Sequence, residues 1–113
     1  MNKRTIGTEM ELRASDFLEK QGFQILERNF QCRTGKIDIV AWERNTLCFL
    51  EVKYRQNQHY GSPFAAITPH KQKTIRQVAA HYMLTHHISQ NTPCRFDAVG
   101  ILGNEIELIR DAF

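Results

Sequence analysis

Apolar residues recur along the chain at two spacings, and the changes of spacing mark its elements. Met10, Ala14, Phe17 and Leu18 fall at helical intervals, which predicts a helix over residues 8–21 that stops at Gly22. Phe23, Ile25 and Leu26 carry a strand from Phe23 to Phe30. After a turn at Thr34-Gly35, the β-branched and aromatic run Ile37-Asp38-Ile39-Val40-Ala41-Trp42 predicts a second strand. Glu43-Arg44-Asn45 makes a tight connection to a long apolar strand, Thr46 to Tyr54, close enough to pair as a hairpin. Residues 55–66, with Gly61, Ser62 and Pro63, read as an irregular loop. Thr68-Pro69 then reads as an N-cap followed by proline at the first helical position. Ile75, Val78, Ala79, Tyr82 and Met83 form a core-facing helical stripe, the clearest periodicity in the chain. A polar linker, Ser89 to Pro93, leads into a strand from Arg95 to Ile101, a turn at Gly103-Asn104, and a last short strand through Ile106, Leu108 and Ile109. The predicted order is αβββαββ in one domain spanning residues 1–113, without a repeat or a domain-separating linker.

Composition narrows the class. Hydrophobic residues make up 42% and charged residues 24%, as in ordinary globular proteins. The three cysteines, Cys32, Cys48 and Cys94, are odd in number and widely spaced, which argues against a zinc site or a disulfide framework. Cys48 lies in the run Leu47-Cys48-Phe49-Leu50 and reads as a buried free thiol, in keeping with a reducing compartment. The basic N-terminus has no apolar stretch behind it and no segment is long enough to span a bilayer, so the expectation is a cytoplasmic protein without a membrane partner. A formal charge of +3 is compatible with a phosphate-bearing partner but too mild to establish one.

Four charged residues sit where solvated charges are not expected. Glu51 and Lys53 are two apart on a strand and share a face, in a segment otherwise too apolar to have a wet side. Asp38 lies between Ile37 and Ile39, and hairpin pairing brings it beside Glu51. Glu11 borders the buried stripe of the first helix and looks toward the sheet. Carboxylates that converge repel one another unless a cation sits among them, and oxygen donors suit Mg²⁺ or Mn²⁺. An ammonium beside a bound phosphodiester neutralises charge growing on the phosphoryl oxygens. The alternative is that Asp38 caps a turn and Glu51–Lys53 is an edge-strand ion pair. Spacing alone does not separate the two.

Asp38 followed by Glu51-Val52-Lys53 resembles the D…(D/E)-x-K signature of the PD-(D/E)XK nuclease superfamily. With Glu11 on the helix in front, the pattern is similar to that of archaeal Holliday-junction resolvases. Nearly the whole chain resembles the bacterial YraN-like family of small proteins. The matching stretches are Gly7-x-x-x-Glu11-x-x-Ala14, Gly35 to Val40, Phe49 to Arg55, Tyr60-Gly61-Ser62-Pro63, Thr68-Pro69-x-Lys71-Gln72, Arg95-Phe96-Asp97 and Ile109 to Phe113. The resemblance implies an α/β, restriction-endonuclease-like fold with a mixed central sheet flanked by helices. It implies Glu11, Asp38 and Glu51 as metal ligands and catalytic residues, with Lys53 as the catalytic lysine. Lys36 departs from the pattern, since the family usually has an acidic residue there. On a strand Lys36 shares a face with Asp38, where it would weaken metal binding or add a phosphate contact.

Lys36, Arg55 and Lys71 are the candidate nucleic-acid contacts, Lys71 because it lies in the first turn of a helix. Lys73 and Arg76 read better as a solvated face. Tyr60 and its loop either cover a substrate or pack on the sheet. His86-His87 reads as a helix-end pair, solvated or dipole-stabilised in preference to metal-binding, Asp97 as a partner of Arg95 or a turn, and Trp42 as core. The expected function is a Mg²⁺- or Mn²⁺-dependent endonuclease acting on DNA, branched or flapped forms included, and a homodimer is a further expectation. The alternative is a non-catalytic nucleic-acid-binding or adaptor protein that keeps the nuclease fold.

Overall fold

The computed structural model describes residues 3–57, 59 and 61–113; Tyr60, weighed above as part of a covering loop, lies outside the described residues. Helix α1 spans Lys3–Lys20, followed by strands β1 (Phe23–Cys32), β2 (Gly35–Glu43) and β3 (Thr46–Arg55). Helix α2 spans Pro69–Thr85, and β4 (Cys94–Leu102) and β5 (Glu105–Ile109) close the chain. The order αβββαββ is the one the hydrophobic pattern predicts. Helix α1 begins five residues earlier than expected, because its first turns are largely solvent-facing and carry no apolar period. A short 3₁₀ turn, Pro63–Ala66, interrupts the segment expected to be irregular.

The strands form one five-stranded sheet in the order β1-β2-β3-β4-β5. All neighbours are antiparallel except β3 and β4, which run parallel because α2 carries the chain back between them. One helix covers each face. Ala14 and Leu18 of α1 pack on Ile39, Ala41, Cys48 and Leu50. Ile75, Val78, Ala79 and Tyr82 of α2 pack on Ile37, Val40, Leu47 and Phe49, and Trp42 borders this second cluster. This is a restriction-endonuclease-like arrangement: a mixed central sheet between helices. β3 is buried on both faces, which accounts for its near-continuous apolar run. Each large side chain fully buried there contributes about 1.5–3 kcal/mol of hydrophobic stabilisation.

Local signals act as their chemistry suggests. Gly22, with φ of 99°, ends α1 in a conformation that costs other residues a clash. The Thr68 hydroxyl accepts the Lys71 N–H at 3.2 Å, and Pro69 opens α2. The Ser62 hydroxyl caps the 3₁₀ turn, whose Phe64 ring lies against β4 at Gly100; a Cβ there would come within 2.6 Å of the ring. Cys48 is buried and free. Among the described residues no helix is long and apolar enough to cross a membrane.

Candidate metal and phosphodiester site

The site begins where the sheet splits. The β2–β3 ladder runs from Glu43↔Thr46 to Ile39↔Leu50 and stops. One more step in that register would set Asp38 against Glu51. From that level β2 stays paired with β1 as far as Gly35, while β3 stays paired with β4 as far as Arg55. The two central strands therefore part, each held by its outer neighbour. The Val52 N–H, left without its ladder partner in β2, donates to Asp38 Oδ2 at 2.8 Å.

The β1–β2 ribbon also changes face at this level. Ile39 packs on the α1 side and Ile37 on the α2 side, although residues two apart on a regular strand share a face. Arg28 pairs with Ile39 and Phe30 with Ile37; Asn29 lies between them at φ 58°. Asparagine is among the few residues with a side chain that tolerate this left-handed conformation. Asp38 thus sits at a twist as well as at a fork.

Four elements bring charges to the opening, a cleft of about 250 Å³ lined by Glu11, Lys36, Asp38, Glu51, Lys53 and Lys71. Glu51 is buried, with the ammonium groups of Lys53 and Lys71 each 3.6 Å from its Oε1. Its Oε2 is buried with no hydrogen-bond partner among the described residues. Burial, then the neighbouring Asp38, push its carboxyl up to about 7, against the pull of Lys71 and Lys53. Asp38 is also buried, and Lys36 Nζ lies 3.3 Å from its Oδ1. Burial opposes the Lys36 charge, but Asp38, with Glu11 and Glu51 behind it, raises the ammonium above its ordinary value. The Glu11 carboxyl is raised by burial and by Asp38, with Lys36 and Arg28 working against both.

All four residues expected to carry the chemistry, Glu11, Asp38, Glu51 and Lys53, line this one cleft, and Lys36 and Lys71 join them. Arg55 is not among the lining residues: its guanidinium turns back onto the Tyr54 carbonyl at 3.0 Å. Among the described residues no three His, Cys, Asp or Glu side chains stand close enough to hold a metal as a ready-made cage. The donor chemistry nonetheless fits a hard cation, since the carboxyl oxygens of Asp38 and Glu51 are buried together and Glu51 Oε2 has no hydrogen-bond partner among the described residues. The lysines balance the acids, three against three.

Other charges serve the fold. Asp97 is fully buried, accepts from Arg95 Nε at 2.7 Å and from the Asp111 N–H at 2.8 Å. Arg76 stands on the exposed face expected of it and also lies over the Phe96 ring at 4.5 Å. His86 and His87 are exposed at the end of α2, as expected, and His86 also stacks on Tyr82 with ring centroids 3.8 Å apart and faces Glu27. The reach of Lys71 to Glu51 across the parallel crossover, and the approach of Arg28 to Glu11, left no mark in local spacing. Both depend on register.

The sequence model of a family described as "Uncharacterised protein family UPF0102" matches residues 10–101. A UPF0102 protein of Lachnoclostridium phytofermentans is similar at 50% identity, over all of this chain and 96% of that protein. One of Caldicellulosiruptor saccharolyticus is 42% identical with both chains covered in full. One of Nitrosomonas eutropha is 43% identical over 95% of this chain and 91% of its own length.

Proposed function

The chain belongs to the UPF0102 family, and from the chemistry of its cleft we propose a divalent-cation-dependent endonuclease of the PD-(D/E)XK type, hydrolysing phosphodiester bonds in DNA, branched or flapped forms included. The observation that carries this reading is Glu51 Oε2, a carboxylate oxygen buried beside a second buried carboxylate and lacking a hydrogen-bond partner among the described residues. A buried anion in that state is costly unless a cation completes it. Asp38 and Glu51, with Glu11 at the cleft wall, would hold Mg²⁺ or Mn²⁺. Such an ion, when bound, supplies positive charge to a phosphoryl oxygen and acidifies a water.

The remaining work falls to the chain itself. Lys53 projects beside Glu51 and neutralises charge growing on the phosphoryl oxygens. Lys71, at the N-terminal turn of α2, brings a second ammonium to the same Glu51 oxygen and grips the phosphate with it. These contacts read the backbone and its shape, and carry no base sequence. We place the activity in the cytoplasm and in a homodimer, since a +3 chain of 113 residues offers little surface for a branched duplex.

One contact favours a second reading. Lys36 already balances Asp38 Oδ1, as suits a nucleic-acid-binding or adaptor protein that keeps the nuclease fold without cleaving. Linear, flapped and four-way DNA, incubated with Mn²⁺ or EDTA, separate the two. The nuclease reading expects cleavage that disappears in EDTA and in Lys53→Ala, with the variant still folded and still binding. Cleavage that survives either change overturns it. Salt-sensitive binding indifferent to Mn²⁺ and weakened in Lys71→Ala, without cleavage, assigns the binder instead.

A further inference from the structure

Gly7 stands in the second turn of α1, where glycine is the worst residue after proline for a helix interior. Neither usual reason for a glycine applies. Its φ is not in the left-handed region, and among the described residues a Cβ built on it meets nothing within 4 Å. The bare Cα instead lines the cleft that holds Glu11, one helical turn further on, and Glu51. Ile6, Met10 and Tyr54 add an apolar wall to the same cleft.

Resting on the nuclease reading, we propose that Gly7 keeps open a subsite for the sugar and base of one unpaired nucleotide, whose phosphate lies among the lysines. A base still paired in a duplex cannot lay its face on the apolar lining of this cleft, so the strand enters unpaired. The apolar wall takes the sugar and the base face without reading the base, as single-strand binding surfaces do. The helix forgoes a better helix former at Gly7 so that the strand can approach its backbone.

The test is fluorescence anisotropy of a labelled single-stranded oligonucleotide and a blunt duplex, in Ca²⁺, against the wild-type chain, Gly7→Ala and Gly7→Leu. The wild type is expected to bind the single strand at least tenfold more tightly. Gly7→Ala should raise the Tm by roughly 3–5 °C, yet weaken single-strand binding severalfold. Gly7→Leu should weaken it more than tenfold. Folded variants that bind the single strand as the wild type does overturn the subsite while leaving the nuclease reading in place. If Gly7→Leu does not fold, the opposed shifts in Gly7→Ala decide alone. A wild type with no affinity for either DNA overturns both readings.

Discussion

Glu51 concentrates the conflict between stability and function in a single side chain. It is 2% exposed, it lies beside Asp38, and one of its oxygens has no partner among the described residues. Two partly buried ammonium groups, each 3.6 Å from the other oxygen, do not replace the water that this oxygen has lost. Glu51→Gln removes the buried charge and keeps the shape. In EDTA at pH 8 the variant should be more stable than the wild type by about 2 kcal/mol, read as a shift in urea midpoint at unchanged slope. Mn²⁺ should then raise the wild-type Tm and leave that of the variant where it was. A variant less stable than the wild type in EDTA would mean that the carboxylate is satisfied in the folded protein. At this scale the sequence was informative: Glu51 and Lys53 stood out because the strand around them has no wet side. The space in front of Gly7, open among the described residues, left no such trace, since a helical glycine looks the same whether or not anything approaches it.

Among the elements, α2 does two jobs. Its apolar stripe closes one face of the sheet, and its first turn carries Lys71 to the cleft. The Thr68 cap holds that turn by accepting the Lys71 N–H. Thr68→Ala should therefore cost about 1 kcal/mol, lowering the Tm by a few degrees, while Thr68→Ser should restore it. An unchanged Tm in thermal melts of the alanine variant would show that the turn is held by other contacts. The period of Ile75, Val78, Ala79 and Tyr82 made this helix legible, and Thr68-Pro69 marked its start, because both signals are local. The start of α1 was not legible, since its first turns are largely solvent-facing and lack a buried stripe. The bend at Asn29 was equally hidden. Its φ of 58° answers to strand pairing across from Asp38, a demand set by another element.

Across the whole molecule, a network opposite in character to the cleft ties distant segments together. Glu43 at the end of β2 binds Arg95 of β4 and Arg110 near the C-terminus, and Arg95 and the Asp111 N–H both bind buried Asp97. The Ala112 N–H donates to the Phe96 carbonyl at 2.7 Å, and Phe113 packs on the Phe96 ring, which seats the tail. Hydrogen bonds from Arg110, then Arg95, hold the Glu43 carboxyl down to about 2, against the effect of burial. A carboxyl depressed in the folded state contributes stability above its ordinary value of 4.5, and that stability is lost as the pH falls from there toward 2. Glu43→Gln should remove on the order of 3 kcal/mol at neutral pH and flatten the acid limb of the stability curve. Urea titrations of both proteins between pH 6 and about pH 2.5 check this. Parallel acid limbs would place the loss of stability at other carboxylates.

The order of elements, the two apolar helix faces, the buried central strands and the four charges out of place were determined by the sequence alone. Each follows from spacing within a few residues, where backbone geometry dictates which side chains share a face. The parallel pairing of β3 with β4, the fork beyond Ile39 and Leu50, and the meeting of Lys71 with Glu51 and of Glu11 with Asp38 were decided only by the tertiary structure. Those arrangements depend on register and crossover between segments remote in the chain, and no local period encodes the distance between them.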